Sequence, residues 1–108
     1  MTTLRGQLKR DDSNFPVGWN YEHITLAAPT TTVVKASSGV LHSITLNDPT
    51  ATAVITIYDN TAASGTVIGI ITVPASPQPA TVIYDVAFNI GLTIVTATAA
   101  SDITVSYI

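Results

Sequence analysis

Residues 52–73, "TAVITIYDNTAASGTVIGIITV", decide the fold class. Along 52–59 the side chains alternate. Ala53, Ile55 and Ile57 share one side, and Thr52, Val54, Thr56 and Tyr58 the other, the period of two that a strand imposes. The second run, "TVIGIITV" (66–73), is again rich in β-branched residues, which suit a pleated, half-buried surface. Between the runs lie Asp, Asn, Ser and Gly, the residues of a hairpin connection. In that reading Asp59 and Asn60 cap the turn and Gly65 takes a positive φ. Asp59, Asn60 and Ser64 also present oxygens to a hard cation, but the loop lacks the ligand count and spacing of a calcium loop.

The same pattern extends outward. Strands are expected at 23–28, 31–36, 39–46, 80–88, 92–99 and 102–108, giving eight with the pair above. The breaks "NDPT", "PASPQP", "NIG" and "AAS" carry turn chemistry, and apolar residues nowhere keep a helical spacing. Eight short antiparallel strands about ten residues apart predict one all-β domain, a β-sandwich or jelly roll, over 22–108. In the last strand Ile103, Val105 and Tyr107 oppose Asp102, Thr104, Ser106 and Ile108. The outward faces are thus mostly Thr, Ser and Ala with Val or Ile interspersed, where a free monomer ordinarily carries Lys and Glu. Covering by other chains explains such a surface, although threonines also suit a solvated strand face.

Bulk composition agrees. Of 108 residues 46% are hydrophobic and 10% charged, against a usual charged share of about 25%. Mean hydropathy is +0.41, yet no apolar run reaches the ~18 residues of a membrane span, and no signal peptide is evident. Cysteine is absent, which excludes disulfides and thiolate chemistry. A net charge of -3 speaks against a general nucleic-acid binder.

Residues 1–21 read differently, as an extended N-terminal arm. Arg5, Lys9 and Arg10 are three of the four cations in the chain, and none follows Lys35. "RGQLKRDDSNFPVGWNYE" (5–22) has no alternation, and Phe15 before Pro16 is pushed toward extended geometry. It holds too little apolar surface to order alone, so it is expected to dock on something. The candidate partner-binding residues are Leu4, Arg5, Leu8, Lys9, Arg10, Phe15, Val17 and Trp19, cations for acidic groups and apolar anchors for shallow grooves.

Candidate chemistry is sparse. His23 and His42 have no His, Cys or Glu at ligand spacing, no G-x-S-x-G elbow occurs, and no carboxylate–histidine pair is evident. Each histidine is expected to be partly buried or interfacial, and a buried neutral His42 would make the fold less stable in acid. Asp48, Asp59, Asp85 and Asp102 fall at strand ends or turns, where Asp bonds its own backbone. No catalysis, cofactor or metal is expected.

Gly39-Val40-Leu41-His42 entering a strand, Tyr58-Asp59-Asn60 before a Ser-Gly hairpin, and Asn89-Ile90-Gly91-Leu92 before a closing strand resemble small β-sandwich proteins of tailed-bacteriophage virions. The leader "LKRDDSNFPV" is similar to the Asp–Asn–x–Pro–Val openings of phage structural proteins. The resemblance covers most of the chain and rests on turn and strand features. It implies a capsid decoration (cement) protein on the virion surface, made in the host cytoplasm. Its partners would be the major capsid protein and neighbouring copies of itself as a trimer, with neither nucleic acid nor membrane. The alternative is a tail, neck or fibre component displaying loops 47–51, 60–65 and 74–79. A free-standing carbohydrate-binding module would need an exposed aromatic platform, whereas the one tryptophan, Trp19, lies in the leader.

Overall fold

The computed structural model describes residues 9–10, 16–25 and 29–108, with the backbone alone at 9–10 and 16–17. Eight strands form two antiparallel sheets: β3 (Asn20–Ile24), β4 (Thr30–Lys35), β5 (Gly39–Asp48), β6 (Val54–Asp59), β7 (Thr66–Thr72), β8 (Ala80–Phe88), β9 (Leu92–Ala97) and β10 (Asp102–Tyr107). Sheet I has the order β3-β10-β5-β8 and sheet II the order β4-β9-β6-β7. The strands thus pair 3 with 10, 4 with 9, 5 with 8 and 6 with 7, one long hairpin rolled up on itself. That strand order is a jelly roll.

The expected alternation holds where the core forms. Ile55 and Ile57 of sheet II and Ile103 and Val105 of sheet I are fully buried. They join Leu41, Ile44, Phe88, Leu92 and Ile94 in one cluster between the sheets. Burying each such side chain contributes roughly 1.5–3 kcal/mol, so the inner faces supply most of the driving force. Tyr84 of β8 reaches across to β7, where a Cβ on Gly69 would lie 2.6 Å from its hydroxyl. Glycine at 69 is what lets the sheets close at this edge, and burial raises the Tyr84 hydroxyl pKa.

Several boundaries differ from the periodicity. The first sandwich strand opens at Asn20 rather than His23, because Asn20 to Ile24 pair with Tyr107 to Ile103 of β10. The sandwich therefore begins two residues before the expected division at 21/22, and residues 26–28 lie outside the described residues. Strand β9 stops at Ala97 because Thr98 turns to φ 70°, and Thr52 at φ 65° delays β6 to Val54. Positive φ is costly for a β-branched residue, so both threonines mark tight turns. The leader, expected to lack strands, contains a short hairpin of β1 (Lys9–Arg10) and β2 (Pro16–Val17), with Lys9 opposite Val17 and Arg10 opposite Pro16. Pro16 tolerates the place because a two-residue ladder has a free edge for its missing N–H.

Candidate functional site

With the inner faces spent on the core, function falls to the two outer faces. On sheet I, Tyr21 and His23 of β3 stand beside Ser106 and Thr104 of β10, with Thr45 of β5 next in the Thr104 row. His23 Nε2 lies 2.6 Å from Asp102 Oδ1. Asn47 Nδ2 donates to the same Asp102 oxygen and to Thr104 Oγ1, each at 3.0 Å. These side-chain hydrogen bonds, that of Asn47 foremost, hold the Asp102 carboxyl below the usual carboxylate range.

A second pair lies further along the face. Strand β8 carries an extra residue opposite β5, and Asp85 there takes φ 51°, which Asp tolerates better than most residues. The bulge brings Asp85 Oδ1 to 2.5 Å from His42 Nδ1. Trp19 stacks on the His42 ring, with centroids 4.4 Å apart and an interplanar angle of 5°. A carboxylate and the imidazole it fixes are two of the three members of a hydrolytic triad. Here the fixed ring serves as a shelf for the indole, tying the root of the leader to its own sheet.

These contacts bear on three expectations. Two carboxylate–histidine pairs do exist, spanning 79 and 43 residues of sequence. His42 is partly buried, as expected, but its side chain is 30% exposed and paired with Asp85 rather than enclosed. Asp59, Asp85 and Asp102 do not serve their own turns either. Asp59 accepts from the amides of Asn89, Ile90 and Gly91, thirty residues on. The Ile90 and Asn89 bonds lower its pKa most.

The turn that Asp59 leaves is built by Asn60, whose Nδ2 donates to Ser64 O at 2.8 Å and whose Oδ1 accepts from Thr61 N at 2.8 Å. Gly65 follows at φ 86°, as expected of this hairpin. Asp59 and Asn60 are thereby turned to different partners. Among the described residues no group of three or more His, Cys, Asp or Glu could hold a metal ion.

Sheet II presents a different surface. The outward register positions of its strands form cross-strand rows: Val33, Thr93, Tyr58 and Val67; Thr31, Val95, Thr56 and Ile70; and Ala97, Val54 and Thr72, with Thr93 itself buried and bonded to Asn60 O. Val33, Val67 and Ile70 are exposed, and no residue of these rows carries a charge. Lys35, at the end of β4, extends its amino group toward Gly39 at the margin of sheet I.

Of the candidate partner-binding residues, Leu4, Arg5, Leu8 and Phe15 lie outside the described residues. Lys9, Arg10 and Val17 belong to the leader hairpin, and only Trp19 is seen against the sandwich. No helix is long and apolar enough to cross a membrane among the described residues. The His–Asp pairs were missed because nothing local links residues so far apart. Gly69 within "TVIGIIT" signals a different contact, the close approach of Tyr84, since glycine inside a strand often marks one. Compared with protein-family models, curated proteins and solved structures, the chain matches none.

Proposed function

We propose that this chain is a structural protein of a tailed-bacteriophage virion that binds the assembled capsid and stabilises it, with its leader as attachment segment and copies of itself as neighbours. The observation that carries the reading is the charge-free outer face of sheet II, where Val33, Val67 and Ile70 stand open beside threonines. A freely diffusing monomer relies on surface charge for solubility. A protein fixed among neighbours does not, and its bare face is then covered. The resemblance to phage virion proteins supplies the setting, and the jelly roll, a fold used by viral capsid domains among others, is compatible with it.

The mechanism is linkage. A ligand that binds only the assembled lattice shifts the equilibrium away from disassembly, and no bond is made or broken. In the leader, Arg5, Lys9 and Arg10 meet acidic groups on the shell while Leu4, Leu8, Phe15 and Val17 fill shallow grooves. Trp19 has a different part in this reading: stacked on His42, it anchors the leader's root to the domain.

The test is removal of residues 1–18. The cut falls at Gly18, where an added Cβ would meet nothing within 4 Å, and it spares Trp19 and β3. The truncated protein should keep its β-sheet circular dichroism and lose co-sedimentation with expanded shells of the cognate major capsid protein. Salt should weaken attachment of the full chain, since exposed ion pairs are screened. Wild-type stoichiometry in the truncated protein would overturn the leader's role. Failure of the full chain to bind shells would overturn the virion reading.

A further inference from the structure

We infer that the outer face of sheet II is the docking surface for a second copy of this chain, laid face to face about a twofold axis. The inference rests on the reading of the chain as an assembly protein and names one of its contacts. Its ground is where the charges lie. Among the described residues Glu22, His23, His42, Asp48, Asp85 and Asp102 all belong to strands of sheet I. Lys35 and Asp59 stand at strand ends, the first directed to Gly39 and the second bonded to the 89–91 amides. No charge is left in the outward rows of sheet II.

Charge also selects the occupant. In a twofold contact each residue near the axis meets its own counterpart, so any charge there faces a like charge. A face of Val, Ile, Thr and Tyr alone avoids that cost. An interface with a different protein gains specificity and association rate from complementary charge, and this face offers none to read. A second copy brings a face equally free of charge.

The edges agree. Both sheets bulge at an outer strand, at Asp85 in β8 and at Ile68 in β7, but the outer strands of sheet I also carry charge, at Glu22 and Asp85. Strand β7 of sheet II, "TVIGIIT", has no charge and no proline. Size then sets the strength. Four strands about 4.8 Å apart and three rows about 7 Å apart make a face of roughly 400 Å², half the ~800 Å² per partner of a standard interface. The pair should be weak in dilute solution and filled at the local concentration of an assembly.

Two isoleucines give a matched test. Ile70 on sheet II is 59% exposed and Ile83 on sheet I is 57% exposed, so Lys at either should cost the monomer about the same. Sedimentation equilibrium of the full chain from about 10 µM to 1 mM should show wild type passing from monomer to dimer, as a contact of this size allows. Ile70→Lys should weaken the dimer at least tenfold, and Ile83→Lys should leave it within about twofold. Wild type that stays monomeric throughout, a trimeric mass, or dissociation by Ile83→Lys in place of Ile70→Lys would each overturn the proposal. Shell binding is measured separately by co-sedimentation. A dimer that forms while shells are ignored would refute the virion reading and leave this interface standing.

Discussion

The two outer faces of this sandwich share one core and almost nothing else. Sheet I carries both described histidines, and Asp85 and Asp102 join them through side-chain contacts that cross strands. Sheet II carries aliphatic residues and threonine in register, with no charge in its rows. Even strained backbone is used differently. In the turns that join the two sheets it sits at Thr52 and Thr98, whereas on sheet I it sits within a strand, at Asp85, where it aims a carboxylate at His42. Backbone strain inside an element persists only where surrounding contacts determine it. The lesson is that one face is tied together by its own polar side chains and the other is bare of charge.

The first way to break the contrast is through what the faces share. Ile57→Ala, beneath the sheet II rows, should cost about 2–5 kcal/mol in urea unfolding, as buried Ile truncations do. Because the core is common, Trp19 fluorescence on the sheet I side and far-UV circular dichroism should shift together. Separate transitions would mean the sheets are independent units.

Strand β9 offers a sharper comparison of opposite sign. Thr93 and Thr96 are both buried, but Thr93 Oγ1 donates to Asn60 O at 2.7 Å while Thr96 Oγ1 has no partner. Thr96→Val removes an unsatisfied hydroxyl and should stabilise by about 1 kcal/mol. Thr93→Val loses a bond and should destabilise by a similar amount. Equal signs in thermal melts would show that the hydroxyls are not read differently by the core.

Acid tests the organised carboxylates. Asp102 and Asp59 titrate below the usual range because Asn47 and His23 hold the first and backbone amides the second. A depressed folded pKa contributes stability above the unfolded value of about 3.9, lost as pH falls through the folded value. Stability measured from pH 7 down should therefore fall mainly below about pH 4, and Asp59→Ala or Asp102→Ala should flatten that limb. An unchanged limb in both variants would mean their bonds add nothing to the fold.

The smallest effect separates surface from fold. Thr56→Lys on sheet II should change monomer stability by about 0.5 kcal/mol or less, and Thr104→Lys on sheet I by about 1 kcal/mol, because it gives up the oxygen that accepts from Asn47. Only Thr56→Lys should disturb copy–copy contact. A large stability loss at Thr56 would show that its face is shaped by the monomer's own packing.

How much was legible follows from the range of each signal. The strand period picked out Ile55, Ile57, Ile103 and Val105 as core, and the chemistry of 59–65 gave the hairpin with Gly65 at positive φ. These are statements about residues within a few positions of one another. The start of β3 at Asn20 was not legible, because β10 rather than local pattern selects where its pairing begins. Nor was the leader hairpin, whose two-residue strands are too short to show alternation.

The sequence by itself determined the all-β class, the inward side of the central strands and the poverty of charge, since period two, turn chemistry and composition are local properties of the chain. Only the tertiary structure decided which outer face keeps the charges. Rolling the hairpin puts β3 beside β10 and β5 beside β8, bringing His23 to Asp102 and His42 to Asp85. The neighbouring strands β4, β9, β6 and β7 are thereby left to form a sheet whose outward rows hold no ion at all. Alternation tells each strand which side is in. It cannot say which strands will be neighbours, because that choice is made by the packing of the whole core.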